Sequence, residues 1–303
     1  PNQTLTLFGL YDYEWHIDTT RVWYFGNKDY NNPLRKWGFN ESEGTGFTNL
    51  TLQHKFKFPQ SGHELSSQLL FTKGWEDETY NLKQDGPLPY PVISTDKTRV
   101  LAPEYLYLIS SDYVRPLTFG RLEAGISGRL RHMPITYTMT KDPANTALIY
   151  NFGGWSKWNE SLAGVYLNLV SELAKIDIEA GLRGEYTAIS YKFAPNPYFD
   201  EDQYNYFSLF PNTRFTFKIN QSNKISLFYN RRIDRPGEDI LRIFPKYDDP
   251  ELLKIGNPSL RPQFTQNLEI AYRCLWKTGA FYSSLYHKII NDYYTRIYIQ
   301  DPF

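Results

Sequence analysis

The chain has 303 residues, and its 33 lysine and arginine residues are balanced by 33 aspartate and glutamate residues, so the composition does not indicate a nucleic-acid-binding protein. Aromatic residues make up 17% of the chain, a content that disordered segments lack, and a folded protein rich in β-strands is therefore expected. A single cysteine, Cys274, excludes an intrachain disulfide framework.

The sequence distinguishes between the two kinds of membrane-spanning segment. No run of about 18 uncharged apolar residues occurs, which excludes a transmembrane helix. Membrane-spanning strands are not excluded, because each needs only about 10 residues and alternates in polarity. The chain begins at Pro1 without a signal peptide and stops at Phe303, so we expect a segment of a longer protein.

Alternating polarity predicts eleven long strands. The pattern is clearest over 174–190, where residues such as Ile178 share an apolar face and residues such as Glu179 share a charged one. No helical period competes over a comparable length. The predicted strands are 3–13, 46–58, 63–74, 99–112, 118–131, 159–171, 174–190, 204–219, 223–232, 263–276 and 280–299.

The connections between these strands are of two kinds that alternate strictly. Short, turn-rich links are predicted at 59–62, 115–117, 172–173, 220–222 and 277–279, and long polar links at about 15–45, 75–98, 132–158, 191–203 and 233–262. An up-and-down antiparallel meander puts all the short turns at one end and all the long loops at the other. Long strands with this asymmetry are typical of membrane barrels. A soluble β-sandwich or propeller remains an alternative, but its strands are usually shorter.

In a membrane barrel the apolar face contacts lipid and the charged face lines the interior. We therefore expect Ile178 to face lipid and Glu179 to face inward. Aromatic residues near the predicted strand ends suggest interfacial girdles: Tyr11, Tyr13, Trp15, Tyr105, Tyr107, Trp155, Trp158, Tyr204, Tyr206, Tyr293 and Tyr294.

Four segments carry a family resemblance: 181–187, 206–211, 229–236 and 256–269. The last begins Gly-Asn-Pro-Ser-Leu-Arg-Pro-Gln and is similar to a Gly-Asn-Pro-x-Leu-x-Pro-Glu pattern, with Gln263 in place of the acidic residue. In these segments the chain resembles the C-terminal β-barrel of TonB-dependent outer-membrane receptors, in particular the outer-membrane-protein β-barrel family.

The resemblance implies an all-β, antiparallel up-and-down transmembrane barrel of about 22 strands in the bacterial outer membrane, with an N-terminal plug inside it. Neither a plug nor a coupling motif is recognisable in the sequence, so residues 1–303 are expected to be one barrel segment. The implied function is energy-coupled nutrient uptake, with a siderophore, glycan, peptide or cobalamin as cargo. The implied partners are outer-membrane lipid, an inner-membrane energy-coupling protein that contacts a missing N-terminal region, and a surface lipoprotein, but no nucleic acid.

Two sets of residues are candidates for a specific role, one architectural and one in ligand contact or loop packing. Glycine and proline residues of the family-like segments stop regular pairing and direct the chain from a long loop back into the wall, so an architectural role is expected for their neighbourhood: Arg235, Pro236, Gly256, Asn257, Pro258, Leu260 and Pro262. The aromatic residues Trp23, Tyr24 and Trp37 are candidates for stacking on a cyclic ligand, or for packing loops together.

Catalytic and metal-binding signatures are weak. No phosphate-binding loop, nucleotide-binding glycine pattern or helical zinc motif occurs, so neither enzymatic activity nor a cofactor is expected. Acidic groups at 76–78, 200–202 and 248–249 leave calcium binding in loops open. Two alternatives to an uptake receptor remain: a passive or accessory outer-membrane barrel in a larger assembly, and a soluble carbohydrate-binding β-protein.

Overall fold

The computed structural model describes residues 2–26, 29–85, 93–144, 153–194, 201–244 and 254–298. In this part of the chain, eleven strands form one sheet in which each strand is antiparallel to the next along the sequence. The strands are β1 (Gln3–Gly26), β2 (Asp29–Lys57), β3 (Glu64–Asp85), β4 (Ile93–Leu117), β5 (Gly120–Thr140), β6 (Gly154–Glu172), β7 (Ile176–Ala194), β8 (Asp202–Lys218), β9 (Asn223–Asp234), β10 (Gln263–Trp276) and β11 (Gly279–Asn291).

All eleven predicted strands are present, but the predicted limits are wrong at one end. β1 and β2 continue through most of 15–45, which was expected to be a loop, and β3 to β7 extend in the same way. The extensions of β1 and β2 lack a clear apolar and polar alternation, whereas the extension of β5 keeps it, with Met133, Ile135 and Tyr137 pointing to one face. Strand β11 is shorter than predicted and ends at Asn291.

The short turns lie together at one end, as predicted, at 58–63, 118–119, 173–175, 219–222 and 277–278. The turn predicted at 115–117 falls at 118–119 instead, because β4 continues to Leu117. This end of the sheet is called the turn end, and the opposite end is called the loop end. The turn between β2 and β3 includes Gly62 with a φ of 76°, a left-handed conformation that favours glycine. The meander with asymmetric ends is confirmed.

The two faces of the sheet differ as the sequence predicts. The outer face carries exposed apolar side chains, among them Ile126, Val165 and Leu182. The inner face carries cross-strand ion pairs: Arg131 bonds Glu104 at 2.6 Å, and Arg214 bonds Glu179 at 2.7 Å. Exposed apolar side chains in this number need a nonaqueous environment outside the sheet.

The inner face changes character toward the loop end. On β5 its charged side chains end at Arg131, and the next inward positions are Met133, Ile135 and Tyr137, all buried. On β7 the inward position after Glu185 is the buried Thr187, and the buried apolar side chains of Ile189 and Tyr191 follow it. The core of the described structure therefore lies inside the loop end of the sheet.

The predicted aromatic girdle is partly wrong. Tyr11, Tyr13, Trp15, Tyr105, Tyr107 and Trp155 lie on the outer face, spread over four successive outward rows of the register. In contrast, Trp158, Tyr204 and Tyr206 lie on the inner face, because the register pairs them with inward residues of neighbouring strands. Tyr293 and Tyr294 follow the end of β11.

Helical structure is slight. One turn, α1 (Glu238–Leu241), lies in the connection from β9 to β10. None of the helices in the described residues is long and apolar enough to span a membrane.

A pair of substitutions on β7 tests which face contacts hydrocarbon. Leu182 is 50% exposed on the outer face, in the middle of the first ten or so residues from the turn end, whereas Ile178 is only the third residue of the strand. Leu182→Arg is expected to lower the free energy of unfolding by about 2–4 kcal/mol, and Ile178→Arg by about 0–1 kcal/mol. Urea titration of the protein refolded into lipid vesicles measures both.

The matched control is Glu179→Gln on the inner face of the same strand. It breaks an ion pair with Arg214, which is 58% exposed, and the expected cost is below about 1 kcal/mol. Equal tolerance of arginine at Leu182 and of glutamine at Glu179 would contradict the assignment of the outer face.

Candidate functional site

The connection from β9 to β10 turns into the concave inner face at the loop end. Its described parts, 235–244 and 254–262, are called the strap. Leu241, Ile243 and Phe244 of the strap are at most 4% exposed. The ring of Phe244 stacks on Tyr137 of β5, with centroids 5.5 Å apart and planes at 8°. The strap is thus packed against the sheet.

The surface beneath the strap is called the inner wall. It consists of side chains that point inward from β2 to β7: Trp37, Phe39, Tyr80, Leu82, Val100, Met133, Ile135, Tyr137, Met139, Trp158, Ile189, Tyr191 and Phe193. Burial of a large apolar side chain contributes about 1.5–3 kcal/mol. The three buried side chains of the strap therefore hold it to the inner wall with several kcal/mol.

The family-like motif forms the second half of the strap and bonds to the first half. The amide of Gly256 donates to the carbonyl of Arg242 at 2.7 Å, and the amide of Asn257 donates to the carbonyl of Ile240 at 2.9 Å. A Cβ at position 256 would lie 2.6 Å from backbone atoms of Arg242. Glycine is required here because the two backbone segments approach this closely.

The rest of the motif makes a tight turn. The Asn257 side-chain oxygen accepts from the amide of Ser259 at 2.9 Å, and the amide of Leu260 donates to the Asn257 carbonyl at 3.3 Å. Pro258 is fully buried, and Leu260 packs against the inner wall. Pro262, also buried, leads the chain into β10. These positions are consistent with the architectural role expected for the motif.

Two arginines hold the ends of the strap to the sheet. At the first end, Arg235, which is followed by the half-buried Pro236, donates to Glu185 of β7 at 2.7 Å and to the Tyr206 hydroxyl of β8 at 3.1 Å. Glu185 also accepts from Arg183, so this buried carboxylate has two cationic partners. Removal of one partner from a buried ion pair is costly, since it leaves charge uncompensated.

At the second end, the guanidinium of Arg261 lies 3.8 Å from the centroid of the Tyr204 ring and donates to Asp202 at 2.8 Å. The rings of Tyr204 and Tyr206 are stacked, with centroids 6.2 Å apart. Neighbouring inward tyrosines of β8 therefore receive both ends of the strap.

Acidic side chains cluster on the inner face beside the inner wall. Carboxylate oxygens of Glu41, Glu43 and Glu78 lie within 4.8 Å of one another, and the Tyr80 hydroxyl donates to Glu78. The strap brings the charge of Arg242 close enough to act on the neighbouring carboxylate of Glu76. The strap thus partly balances this acidic cluster.

The acidic groups that left calcium binding open lie on a strand or in ion pairs where they are described. Glu76, Asp77 and Glu78 lie on β3, where successive side chains point to opposite faces, and Asp77 pairs with Arg99 at 2.6 Å on the outer face. Asp202 is bonded by Arg261, and Glu201 contacts Lys192 at 3.8 Å. Asp200 and residues 248–249 lie outside the described residues.

The three candidate ligand-stacking residues do not share one face. Trp23 is 50% exposed on the outer face of β1. Tyr24 and Trp37 are brought together on the inner face, where the Trp37 indole donates to the Tyr24 hydroxyl at 3.3 Å. Trp37 is part of the inner wall.

The carboxylate of Asp142, just after the end of β5, joins this segment to β4 at the loop end. Backbone amides of Ala144 and Thr95 donate to Asp142 at 2.9 and 2.8 Å, and these hydrogen bonds lower the pKa of the Asp142 carboxyl. Because the pKa is lowered on folding, the stabilisation is present at neutral pH and is lost as the pH falls through the lowered value.

Substitution of Gly256 tests whether the motif fixes the strap. Gly256→Ala places a methyl group against the backbone of Arg242 and is expected to loosen the strap, with a loss of about 1–3 kcal/mol in unfolding free energy. Trypsin cleavage after Arg242 in the folded protein should become faster.

The control is Gly38→Ala on β2, where the nearest atom to the new Cβ is 3.8 Å away. It should cleave at the wild-type rate. An unchanged cleavage rate and stability for Gly256→Ala would show that the motif does not fix the strap.

Comparison with known proteins finds one family model, described as the outer membrane protein beta-barrel family, which matches residues 54–302. A search of curated protein sequences finds no significant match.

Several solved structures of receptors and transporters are similar to this chain. The Serratia marcescens hemophore receptor HasR, solved with its hemophore HasA and heme, has a TM-score of 0.54 and 10% identity, over 93% of this chain and 46% of HasR. The Acinetobacter baumannii ferric preacinetobactin receptor BauA has a TM-score of 0.48 and 11% identity, over 94% and 46%. The Yersinia pestis ferric yersiniabactin uptake receptor FyuA has a TM-score of 0.47 and 9% identity, over 95% and 50%. The chain spans about half the length of these proteins.

Proposed function

The chain belongs to the outer membrane protein beta-barrel family, and on this premise we propose that it is part of a receptor that takes up a nutrient across the outer membrane with energy supplied from the inner membrane. Its location is the bacterial outer membrane. The soluble carbohydrate-binding alternative is therefore set aside.

The observation that carries this proposal is the HasR-like sheet with an apolar outer face and a charged inner face. Charged inner faces suit a barrel whose interior holds water or protein. The chain covers less than half of HasR. We propose that residues 1–303 are one segment of a larger barrel and that a longer protein supplies the remaining strands and an interior plug.

The partners follow from this arrangement. An inner-membrane energy-coupling protein is proposed to act on the plug region, outside this chain, and a surface lipoprotein is proposed as a partner at the loop end. HasR binds a hemophore and heme, but its 10% identity supports the fold alone and not the cargo. No reaction chemistry is proposed.

Ligand contacts are proposed at the loop end of the inner face. Tyr24 and Trp37 lie there, whereas Trp23 points outward. Since Trp37 is only 8% exposed beside the strap, a ligand would meet it at the edge of the inner wall. Aromatic faces of this kind stack on cyclic ligands.

An uptake assay of the full-length protein tests the proposed function. Cells that produce it are offered ferric siderophore, heme, cobalamin and oligosaccharide, and the cell-associated amount of each is measured with and without a protonophore. Uptake of at least one compound is expected, and the protonophore should abolish it, because the transport step depends on inner-membrane energy.

A passive barrel makes the opposite prediction. Uptake would persist with the protonophore, and the purified protein would make sugar-permeable liposomes. An accessory barrel would show neither uptake nor permeability. Each of these results would contradict energy-coupled uptake. A bacterial strain without the gene provides the background level of uptake.

A further inference from the structure

A row of polar side chains crosses the outer face just beyond the apolar rows. The register places Lys73 of β3, Tyr105 of β4, His132 of β5 and Asn159 of β6 side by side. One step toward the turn end, the same strands carry an apolar row that includes Phe71, Tyr107 and Leu130. The polar row therefore lies on the loop-end side of this apolar row.

Contacts tie this row together. The Lys73 ammonium lies 5.8 Å from the centroid of the Tyr105 ring. The His132 ring is stacked on Tyr105 at 6.2 Å and its Nδ1 is 2.6 Å from the side-chain oxygen of Asn159. No carboxylate of the described residues pairs with Lys73 or with His132.

Two lysines extend the row one step toward the loop end. Lys157 of β6 and Lys192 of β7 are directly opposite each other on the outer face. Like charges in directly opposed positions destabilise a sheet. Lys157 lies 5.2 Å from the Trp155 ring centroid, and Lys192 has a long, exposed contact of 3.8 Å with Glu201. An anion between the ammonium groups would relieve their repulsion.

Among the described residues, Glu201, 3.8 Å from Lys192, is the acid that contacts one of these lysines. Asp77 lies beyond Lys73 on β3, and both of its oxygens accept from Arg99, at 2.7 and 2.6 Å. Lys73, His132, Lys157 and Lys192, with Tyr105 and Asn159, are called the basic band. It is a positively charged strip on the exposed outer face.

We propose that the basic band binds the phosphate groups of an anionic glycolipid in the outer leaflet of the outer membrane. The occupant follows from charge and position: the band borders the surface that contacts hydrocarbon, so a lipid whose chains lie on the apolar rows presents its headgroup at the height of the lysines. Trp155 is placed for the same interface. The proposal rests on the membrane location and not on nutrient uptake.

Native mass spectrometry of the purified full-length protein tests the proposal with lipid A as the probe. Wild-type protein in detergent should retain bisphosphorylated lipid A and lose it as salt is raised. Each lysine near a lipid surface contributes about 1 kcal/mol, or about fivefold in affinity. The double variant Lys157→Gln, Lys192→Gln is expected to bind about 25-fold more weakly, and Lys73→Gln about fivefold more weakly.

The matched control is Lys83→Gln, an exposed outward lysine on β3 that lies farther toward the loop end. It should bind lipid A like the wild type. Dephosphorylated lipid A should bind the wild type and the double variant equally.

Unchanged lipid A affinity in the double variant would overturn the proposal, as would an equal loss in Lys83→Gln or wild-type binding that is indifferent to the phosphates. A heat-dependent gel shift confirms that each variant is folded. Energy-coupled uptake is assayed separately, so its failure would leave this result intact.

Discussion

The structure depends on one constraint: in hydrocarbon, the backbone amides and carbonyls have no water to bond and must pair with each other. An antiparallel ladder runs from β1 to β11 and pairs both edges of every strand from β2 to β10, whereas β1 and β11 are each paired along one edge. The side chains are then free to differ on the two faces. Apolar residues such as Leu182 face outward, and charged residues such as Arg131 find carboxylate partners inside, where they are not exposed to lipid.

The strap obeys a related constraint beyond the membrane. A connection that left the sheet and returned would expose its apolar residues, but Leu241, Ile243 and Phe244 instead complete the core with the inner wall. The backbone amides of Gly256 and Asn257 bond carbonyls within the strap itself. Arg235 and Arg261 then join it to β7 and β8. The inner space at the loop end is thereby lined by protein from two sources.

Much of the fold was predictable because alternate residues of a membrane strand face lipid and the barrel interior, and the two environments select different residue types. The strand at 174–190, the turns and the inward charge of Glu179 all followed from that period. The extensions of β1 and β2 did not, since both of their faces are free of lipid and alternation is lost. The inner wall was not predicted, although the sequence carries a signal for it. Met133, Ile135 and Tyr137 continue the inward positions of Arg129 and Arg131, so the inward residues change from charged to apolar while the period of two is kept. The motif from Gly256 to Pro262 was recognised, but its backbone partners at Ile240 and Arg242 depend on a close approach that no local pattern encodes.

The strand number has a consequence for how this sheet can close. β1 and β11 run in the same direction, because strand direction alternates along the sheet and both strands have odd numbers. A second copy in the same membrane orientation would present β1 to β11 as a parallel neighbour, so two copies of this sheet cannot complete an antiparallel barrel. Closure instead needs an odd number of additional strands, and the total is then even, as in bacterial single-chain barrels. Parity alone thus excludes a wall made of two copies of this sheet, and the remaining strands must come from a different stretch of sequence.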